Sequence, residues 1–284
     1  MIPASFAYES PRSLGEALAL LASNPEAKVL AGGHSLLPAM KLRLAAPAML
    51  VDLGRIAGLR YIRHAGDVFA IGAMSTHADV ESSALLRASS PLLAETAACI
   101  GDVQVRNCGT IGGSLAHADP AADYPAAILA LDAELVAMSN TGERVIPARR
   151  FFTGLFTTAL KPGEILTEVR VRATGASVAY KKFRHPASGF AVVGVAAVIK
   201  MRGGNIESAA AGITGVGSSA YRASAVEKAL RGKPASAIAA AADRASDGVT
   251  ALSDNYASAE FRKHLARVYP RRALEAAVAR AAGK

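Results

Sequence analysis

The sequence has very few of the residues that build metal centres or stack on nucleic-acid bases. Only two of its 284 residues are cysteines, Cys99 and Cys108, and tryptophan is absent. Two thiols without C-x-x-C spacing cannot form a disulfide framework, and an iron–sulfur cluster usually takes four cysteine ligands. We therefore expect both cysteines to be reduced thiols with no metal.

The chain also lacks the long apolar segments that cross or enter membranes. No run of about 18 apolar residues is free of charges and turn residues. Residues 1–11 show no basic segment followed by an apolar one, so no secretory signal is visible. The length of 284 residues is enough for one large domain or two ordinary ones, and half of the chain is hydrophobic, so we expect a sizeable core. We expect a soluble, cytoplasmic protein.

Basic residues outnumber acidic ones, which gives a formal net charge of +9. Such a charge suggests nucleic acid, a membrane surface or an acidic partner subunit as a binding partner. Leu265, Val268 and Leu274 are interleaved with the last basic residues, which predicts an amphipathic helix with a basic outer face. No zinc-finger or RNA-recognition motif is present, so nucleic-acid binding is disfavoured. Seven of the 32 basic residues fall in the last 23 positions: Arg262, Lys263, Arg267, Arg271, Arg272, Arg280 and Lys284.

The first two thirds of the chain alternate between short helix and strand patterns. Ser13 and Glu16 form a capping-box pattern, and the apolar spacing after them predicts a helix that ends before Pro25. Alternating residues around turns at 64–67 and 140–142 predict two β-hairpins. We also predict strands at 28–31, 49–53 and 165–171, helices at 91–99 and after Thr76, and a glycine-rich break at 109–113.

The last third changes character near residues 172–178, where we place a domain boundary. Three β-rich segments follow, at 178–183, 190–201 and 206–216, and the last two are joined by a Gly203-Gly204-Asn205 turn. After Tyr221 the chain is rich in alanine and is predicted to be helical to its end. Strands followed by helices indicate an α+β domain with an antiparallel sheet covered on one side.

Two glycine pairs are the most informative local features. Ala31-Gly32-Gly33-His34-Ser35-Leu36 follows a predicted strand, and Thr110-Ile111-Gly112-Gly113-Ser114 repeats paired glycines flanked by hydroxyls. Glycine permits positive φ, and successive N–H groups in such turns form anion-binding nests. Two nests suit a diphosphate, although each pair alone could be a structural turn. Neither fits the P-loop or the G-x-G-x-x-G pattern, so those nucleotide sites are disfavoured.

Two carboxylates, Asp119 and Asp123, follow the second glycine pair four residues apart. They could serve acid–base chemistry, a metal, or the hydroxyls of a ribose or ribityl chain. Asp119 could equally be a turn or helix cap before Pro120. His34 and His77 do not show metal-helix spacing and are interpreted as polar loop or capping residues.

The two glycine stretches resemble the FAD motifs of flavin subunits of molybdenum hydroxylases. This family includes carbon monoxide dehydrogenase medium subunits and the FAD subunits or domains of xanthine, nicotinate and 4-hydroxybenzoyl-CoA enzymes. The first similar stretch is AGGHSLLPAMKLRL at 31–44, and the second is QVRNCGTIGGSLAHADPAADYPA at 104–126. A third, KFR followed by SGFAVVGVA, lies within 182–196. The two motifs at this spacing are highly specific.

The resemblance implies the fold and the domains. We expect a two-lobed α+β FAD-binding domain of the vanillyl-alcohol-oxidase type at 1–175. A C-terminal domain at 176–284 is expected to contain a three-stranded antiparallel sheet and helices.

The resemblance also implies the cofactor site. Residues 31–36 and 110–114 would hold the pyrophosphate of a non-covalent FAD, and Asp123 would bind its ribityl or ribose part. Phe190 is expected near the isoalloxazine ring. Ser114 stands where many members carry asparagine, and we expect FAD binding to survive this change, with a water filling the gap. The full set of expected cofactor-binding residues is Leu30, Ala31, Gly32, Gly33, His34, Ser35, Leu36, Gly101, Thr110, Ile111, Gly112, Gly113, Ser114, Asp123, Leu166 and Lys182.

The implied role is electron relay within a larger enzyme, and no catalytic side chain is assigned. An iron–sulfur small subunit and a molybdenum-cofactor large subunit are the implied partners, in a dimer of heterotrimers. The two cysteines agree with clusters that lie on another chain. Two alternatives remain: a stand-alone flavin oxidoreductase, and a basic module that holds nucleotide or RNA phosphates. The substrate and the electron acceptor are not implied.

Overall fold

The computed structural model describes residues 1–282, so Lys284 and the end of the expected second domain lie outside the described residues. The first lobe is a three-stranded parallel sheet in the order β1-β3-β2, with one helix packed on it. That helix begins after Ser13, whose hydroxyl accepts from the Glu16 amide, and it ends before Pro25 as predicted. The elements of this lobe are β1 (Ala7–Glu9), α1 (Leu14–Ser23), β2 (Ala27–Leu30), α2 (Leu36–Lys41) and β3 (Met49–Asp52).

The second lobe is a five-stranded antiparallel sheet covered by short helices. Its strand order is β4-β5-β10-β6-β7, and it contains both predicted hairpins. The predicted glycine-rich break at 109–113 is confirmed only at 109–110, because a helix begins at Ile111 and includes Gly112 and Gly113. The elements are β4 (Ile62–Ala65), β5 (Val68–Gly72), α3 (His77–Ser82), α4 (Ala84–Ser89), α5 (Pro91–Ala98), α6 (Val103–Cys108), α7 (Ile111–His117), α8 (Tyr124–Ala130), β6 (Glu134–Ser139), β7 (Gly142–Pro147), β8 (Phe152–Gly154), β9 (Thr157–Thr158) and β10 (Ile165–Arg172).

The C-terminal part is an antiparallel sheet in the order β11-β12-β13-β14, with its longest helix packed against β11 and β12. The expected sheet and helices are confirmed, and a two-residue strand adds a fourth to the three long ones. The elements are β11 (Ser177–Arg184), β12 (Ala191–Arg202), β13 (Asn205–Thr214), β14 (Tyr221–Arg222), α9 (Ser224–Leu230), α10 (Ile238–Ala242) and α11 (Ala259–Ala282).

The segment between α10 and α11 is irregular, so the prediction of helix from Tyr221 onwards is only partly right. Asp254 explains part of the departure. Its carboxylate accepts hydrogen bonds from the amides of Tyr256 and Ala257 and from the buried Arg262 side chain. Such local side-chain bonds offer the backbone an alternative to helix.

The described residues form three hydrophobic cores under these sheets, and strand β11 contributes to two of them. Val178 and Tyr180 of β11 pack into the core of the second lobe, whereas Ala179 packs into the C-terminal core. Helix α8 also packs on β12 and β13. The C-terminal sheet is therefore joined firmly to the second lobe. None of the helices in the described part of the chain has the length and apolarity needed to cross a bilayer.

Candidate functional site

The first glycine motif is an open loop between β2 and α2. Gly33 has a φ of +72°, the left-handed conformation that favours glycine. Within residues 1–282, the backbone N–H groups at 32–36 donate no hydrogen bond to the protein. The Nδ1 atom of His34 lies 2.8 Å from the Gly32 carbonyl oxygen, which only an Nδ1–H can satisfy. Five successive amides are thus available to an anion, as the nest hypothesis requires.

The second glycine motif is the first turn of helix α7, and its amides are already used. Thr110 caps the helix by accepting from the Gly113 amide at 3.1 Å. The Ile111 amide donates to the Ser75 carbonyl at 3.0 Å, and the Gly112 amide donates to the Ala73 carbonyl at 2.9 Å. The expectation of a second backbone nest is therefore wrong. The hydroxyl of Ser114 donates to no atom of the described chain and stays available.

In the second motif, glycine is needed because neighbouring atoms pack closely against it, and not because the backbone has a positive φ. Neither Gly112 nor Gly113 has a positive φ. A Cβ atom on Gly112 would overlap Ala73, and one on Gly113 would lie 2.8 Å from the Thr110 hydroxyl and 3.2 Å from the Ala31 Cβ. Helix α7 consequently starts against the first motif.

The two motifs touch through Gly32 as well. A Cβ atom on Gly32 would overlap the Cys108 carbonyl oxygen and would lie 2.7 Å from the Gly109 Cα. Real Cβ atoms essentially never approach other atoms within 3.0 Å. The structure thus brings the two sequence motifs into one site at the junction of the two lobes, and it requires glycine at this crossing.

His77 lies directly beneath that junction, buried in the first turn of α3, so its interpretation as a polar loop or capping residue is wrong. Its amide donates to the Gly109 carbonyl at 2.9 Å, and its ring leaves no room for a Cβ on Gly109. Burial lowers the pKa of His77 to about 4, with smaller contributions from His34 and Arg106. The Nδ1 atom has no hydrogen-bond partner among the described residues. His77 is therefore a neutral, buried side chain that packs under Gly109 and helps to fix the backbone there.

Gly101 lies in the turn between α5 and α6. Its φ is +48°, and a Cβ atom would meet Val105 at 2.8 Å. Asp102 then caps α6 by accepting from the Val105 amide at 2.9 Å. Helix α6 ends at Cys108, so this turn and the Gly32 crossing are the two ends of one short helix.

Asp123 is buried in a polar network between the second lobe and the C-terminal sheet. Lys182 Nζ lies 2.8 Å from one carboxylate oxygen, which also accepts from the Tyr180 hydroxyl at 2.6 Å. Burial raises the pKa of Asp123, and the Lys182 ammonium and the Tyr180 hydroxyl act against that shift. Both carboxylate oxygens have protein partners, so contact of Asp123 with a ribose or ribityl hydroxyl stays a prediction.

The other residues that the sequence analysis singled out lie in several different elements. Leu166 is buried beside a bulge in β10 and packs into the core of the second lobe. Leu30 and Leu36 flank the first motif and are half-buried. Phe190 is exposed at the turn between β11 and β12. Asp119 accepts from the Ala121 amide at 2.8 Å, which is the turn role that the sequence left open.

Comparison with known families now identifies the chain. The family model described as the FAD binding domain in molybdopterin dehydrogenase matches residues 4–172. This chain belongs to that family. A second model, the CO dehydrogenase flavoprotein C-terminal domain, matches residues 178–277. The chain is accordingly a flavoprotein subunit of an oxidoreductase, and FAD is its cofactor, as the sequence resemblance implied.

Individual relatives agree over the whole length. The carbon monoxide dehydrogenase medium chain of Hydrogenophaga pseudoflava is 42% identical over 99% of this chain and 100% of its own length. The glyceraldehyde dehydrogenase medium chain of Sulfolobus acidocaldarius is 35% identical over 97% of this chain and 99% of its own.

Solved structures confirm the fold. A chain of the Hydrogenophaga pseudoflava carbon monoxide dehydrogenase that lacks the Mo-pyranopterin moiety superposes with a TM-score of 0.96, at 44% identity and 99% coverage of both chains. A chain of quinoline 2-oxidoreductase from Pseudomonas putida 86 gives a TM-score of 0.93 at 33% identity, with 98% of both chains covered. The expected two-part α+β architecture is therefore correct.

Proposed function

We propose that this chain binds one FAD non-covalently and transfers electrons within a molybdenum-containing hydroxylase or dehydrogenase. The observation that carries the proposal is the loop at 31–36, where successive amides have no acceptor among residues 1–282 and lie against the start of α7. Backbone N–H groups in such an arrangement suit a pyrophosphate, which is anionic and rich in acceptors. The residues present therefore fit the cofactor.

The proposal gives each motif a distinct task. The loop at 31–36 would hold the pyrophosphate through backbone N–H groups, with the Ser35 hydroxyl as a further donor. Thr110 and Gly113 would keep α7 closed against that loop, and the Ser114 hydroxyl would face the cofactor. Leu30, Gly101, Leu166 and Lys182 are proposed to line or support the flavin part. When bound, FAD supplies the redox chemistry, while the chain binds it, orients it and excludes water.

Acid precipitation of the purified chain tests the cofactor and its mode of attachment. We expect a flavin absorbance band in the native protein and release of all flavin into the supernatant, because no residue is assigned as a flavin linker. Flavin that stays in the pellet would contradict non-covalent binding. A preparation that contains no flavin and takes up none on titration with FAD would refute the site.

We also propose that the chain acts with an iron–sulfur subunit and a molybdenum-cofactor subunit, in a dimer of heterotrimers. Electrons would come from the iron–sulfur partner and leave to an external acceptor. Relatives that are named medium chains or medium subunits support a multi-subunit enzyme. The exposed basic residues of α11, among them Lys263, Arg267 and Arg272, offer a face for an acidic partner. A domain division near residue 175 and cytoplasmic location stay predictions.

Co-expression with the neighbouring reading frames tests the assembly. Iron, molybdenum and flavin should elute together in size-exclusion chromatography, and substrate should bleach the flavin only in the complex. Bleaching of the isolated chain by substrate would instead favour a stand-alone flavin oxidoreductase.

A further inference from the structure

One face of strand β11 is directed toward the second lobe. At the C-terminal end of the strand, the polar side chains of this face reach the turn at 99–102. The side chains of Val178 and Tyr180 enter the core of the second lobe, so Lys182 and Arg184, two and four residues further on, share that face. Lys181 and Phe183 lie on the opposite face, and Phe183 packs against the C-terminal core.

Two cations on this face each hold one backbone carbonyl of the same turn. Lys182 Nζ donates to the Cys99 carbonyl at 2.9 Å, and Arg184 Nη2 donates to the Gly101 carbonyl at 2.9 Å. The Lys182 side chain is only 4% exposed, and its charge is balanced by Asp123 at 2.8 Å. Hydrogen bonds from charged donors are stronger than neutral ones, especially where water is excluded.

The turn continues into α6 as one stiff unit. Gly101 packs against Val105, and Asp102 caps the helix. Arg106 of the same helix donates to the Ile100 carbonyl at 3.0 Å and pairs with Glu81 at 2.7 Å. A displacement of the turn would therefore move the whole helix, including its last residue.

Cys108, the last residue of α6, is where this helix contacts the loop at 31–36. The Cys108 carbonyl lies so close to Gly32 that no Cβ fits between them. The amides of the loop at 31–36 donate to no described residue, whereas its Gly33 and Ser35 carbonyls accept from the amides of α2. Those bonds tie the loop to α2, and packing against Cys108 and Gly109 is what fixes it against α6.

We propose that Lys182 and Arg184 are positioning residues for the FAD site, acting through the turn at 99–102 and helix α6 on the loop at 31–36. The C-terminal domain would then tune cofactor affinity from a distance, by fixing the loop that binds the pyrophosphate. This inference rests on the proposed function, and it assigns Lys182 a role through the protein instead of direct contact with the flavin.

The test uses the full-length chain stripped of flavin, titrated with FAD by fluorescence quenching. Arg184→Gln removes the hydrogen bond to the Gly101 carbonyl. Lys182→Met removes the hydrogen bond to the Cys99 carbonyl, and it is measured in an Asp123→Asn background against Asp123→Asn alone, because Asp123 is itself predicted to contact the cofactor. Relative to its reference, the Lys182 variant should bind FAD about tenfold more weakly, the value expected for loss of one buried charge-assisted hydrogen bond. Arg184→Gln, which loses an exposed hydrogen bond, should bind FAD about threefold more weakly. Arg184→Lys should recover part of the affinity. Lys181→Met, the same chemical change as Lys182→Met but on the opposite face of the strand, should bind FAD like wild type.

A second readout separates positioning from simple loss of stability. With saturating FAD, amide hydrogen exchange at 31–36 and 103–109 should be faster in Arg184→Gln than in Lys181→Met, while the melting temperatures of the flavin-free chains stay close. Unchanged FAD affinity and unchanged amide exchange in both Arg184→Gln and the Lys182→Met variant would overturn the proposal. Loss of affinity only in parallel with loss of folded protein would also overturn it. A wild-type chain that binds no FAD would instead refute the proposed function.

Discussion

Replacement of Gly32 by alanine tests whether the contact between the two motifs controls cofactor binding. The φ of Gly32 is not positive, so alanine is allowed there and the effect is purely steric. The added Cβ would lie 2.7 Å from the Gly109 Cα, whereas ordinary contacts begin at 3.4 Å. Both sides of the contact are backbone, so the loop and α6 must separate by roughly 0.7 Å or more, and overpacking of this kind costs about 1–3 kcal/mol.

The same displacement should weaken FAD binding. Loss of one amide-to-phosphate hydrogen bond costs about 1.5–3 kcal/mol, which is roughly a ten- to hundredfold rise in the dissociation constant. The assay is a fluorescence-quenching titration of the flavin-free chain with FAD, together with thermal unfolding of each variant.

Two other glycines supply matched controls. A Cβ on Gly212 would overlap the Ala126 carbonyl just as severely, but in the contact between β13 and α8. Gly212→Ala should therefore lower the melting temperature and weaken FAD binding less than Gly32→Ala does, because it displaces α8 and not the loop at 31–36. Gly15 has no atom within 4 Å of an added Cβ, so Gly15→Ala should be neutral or stabilise α1 by up to about 1 kcal/mol. Wild-type FAD affinity in Gly32→Ala, or a similar loss in Gly212→Ala, would refute the reasoning.

Three further predictions concern single residues. Gly33→Val should abolish FAD retention, because a β-branched residue resists a φ of +72°, and a wild-type flavin-to-protein ratio would contradict this. Thr110→Ala should lower the free energy of unfolding by about 1 kcal/mol through loss of the cap, whereas Thr110→Ser should not. His77 should make folding acid-sensitive, because its pKa in the folded chain is lowered to about 4. The unfolded chain binds the proton first, so the free energy of unfolding should fall by roughly 3 kcal/mol in total as the pH drops from about 6.5 to below 4. Denaturant titrations at pH 7 and 4.5 check this, and an unchanged pH dependence in His77→Gln would contradict it.

The local elements and the two motifs can be predicted from the order of residues alone. The α1 helix, both hairpins of the second lobe and the three long strands of the C-terminal sheet follow from apolar periodicity and turn residues. These features depend on neighbours in the chain, so they can be read without knowledge of the fold. The resemblance of 31–44 and 104–126 to the family motifs likewise needed only the order of residues.

The role of each glycine and each charged residue depends on contacts between elements that are distant in the chain. A glycine that adopts positive φ, such as Gly33, looks the same in sequence as one that permits close packing, such as Gly112. The second motif is not a nest, because its Ile111 and Gly112 amides donate to the Ser75 and Ala73 carbonyls. Those carbonyls belong to a turn that is distant in the chain, so the local sequence does not reveal them. The pairing of Asp123 with Lys182 spans 59 residues. Such contacts arise when separate elements pack together, and neither local propensity nor spacing encodes which distant groups will meet.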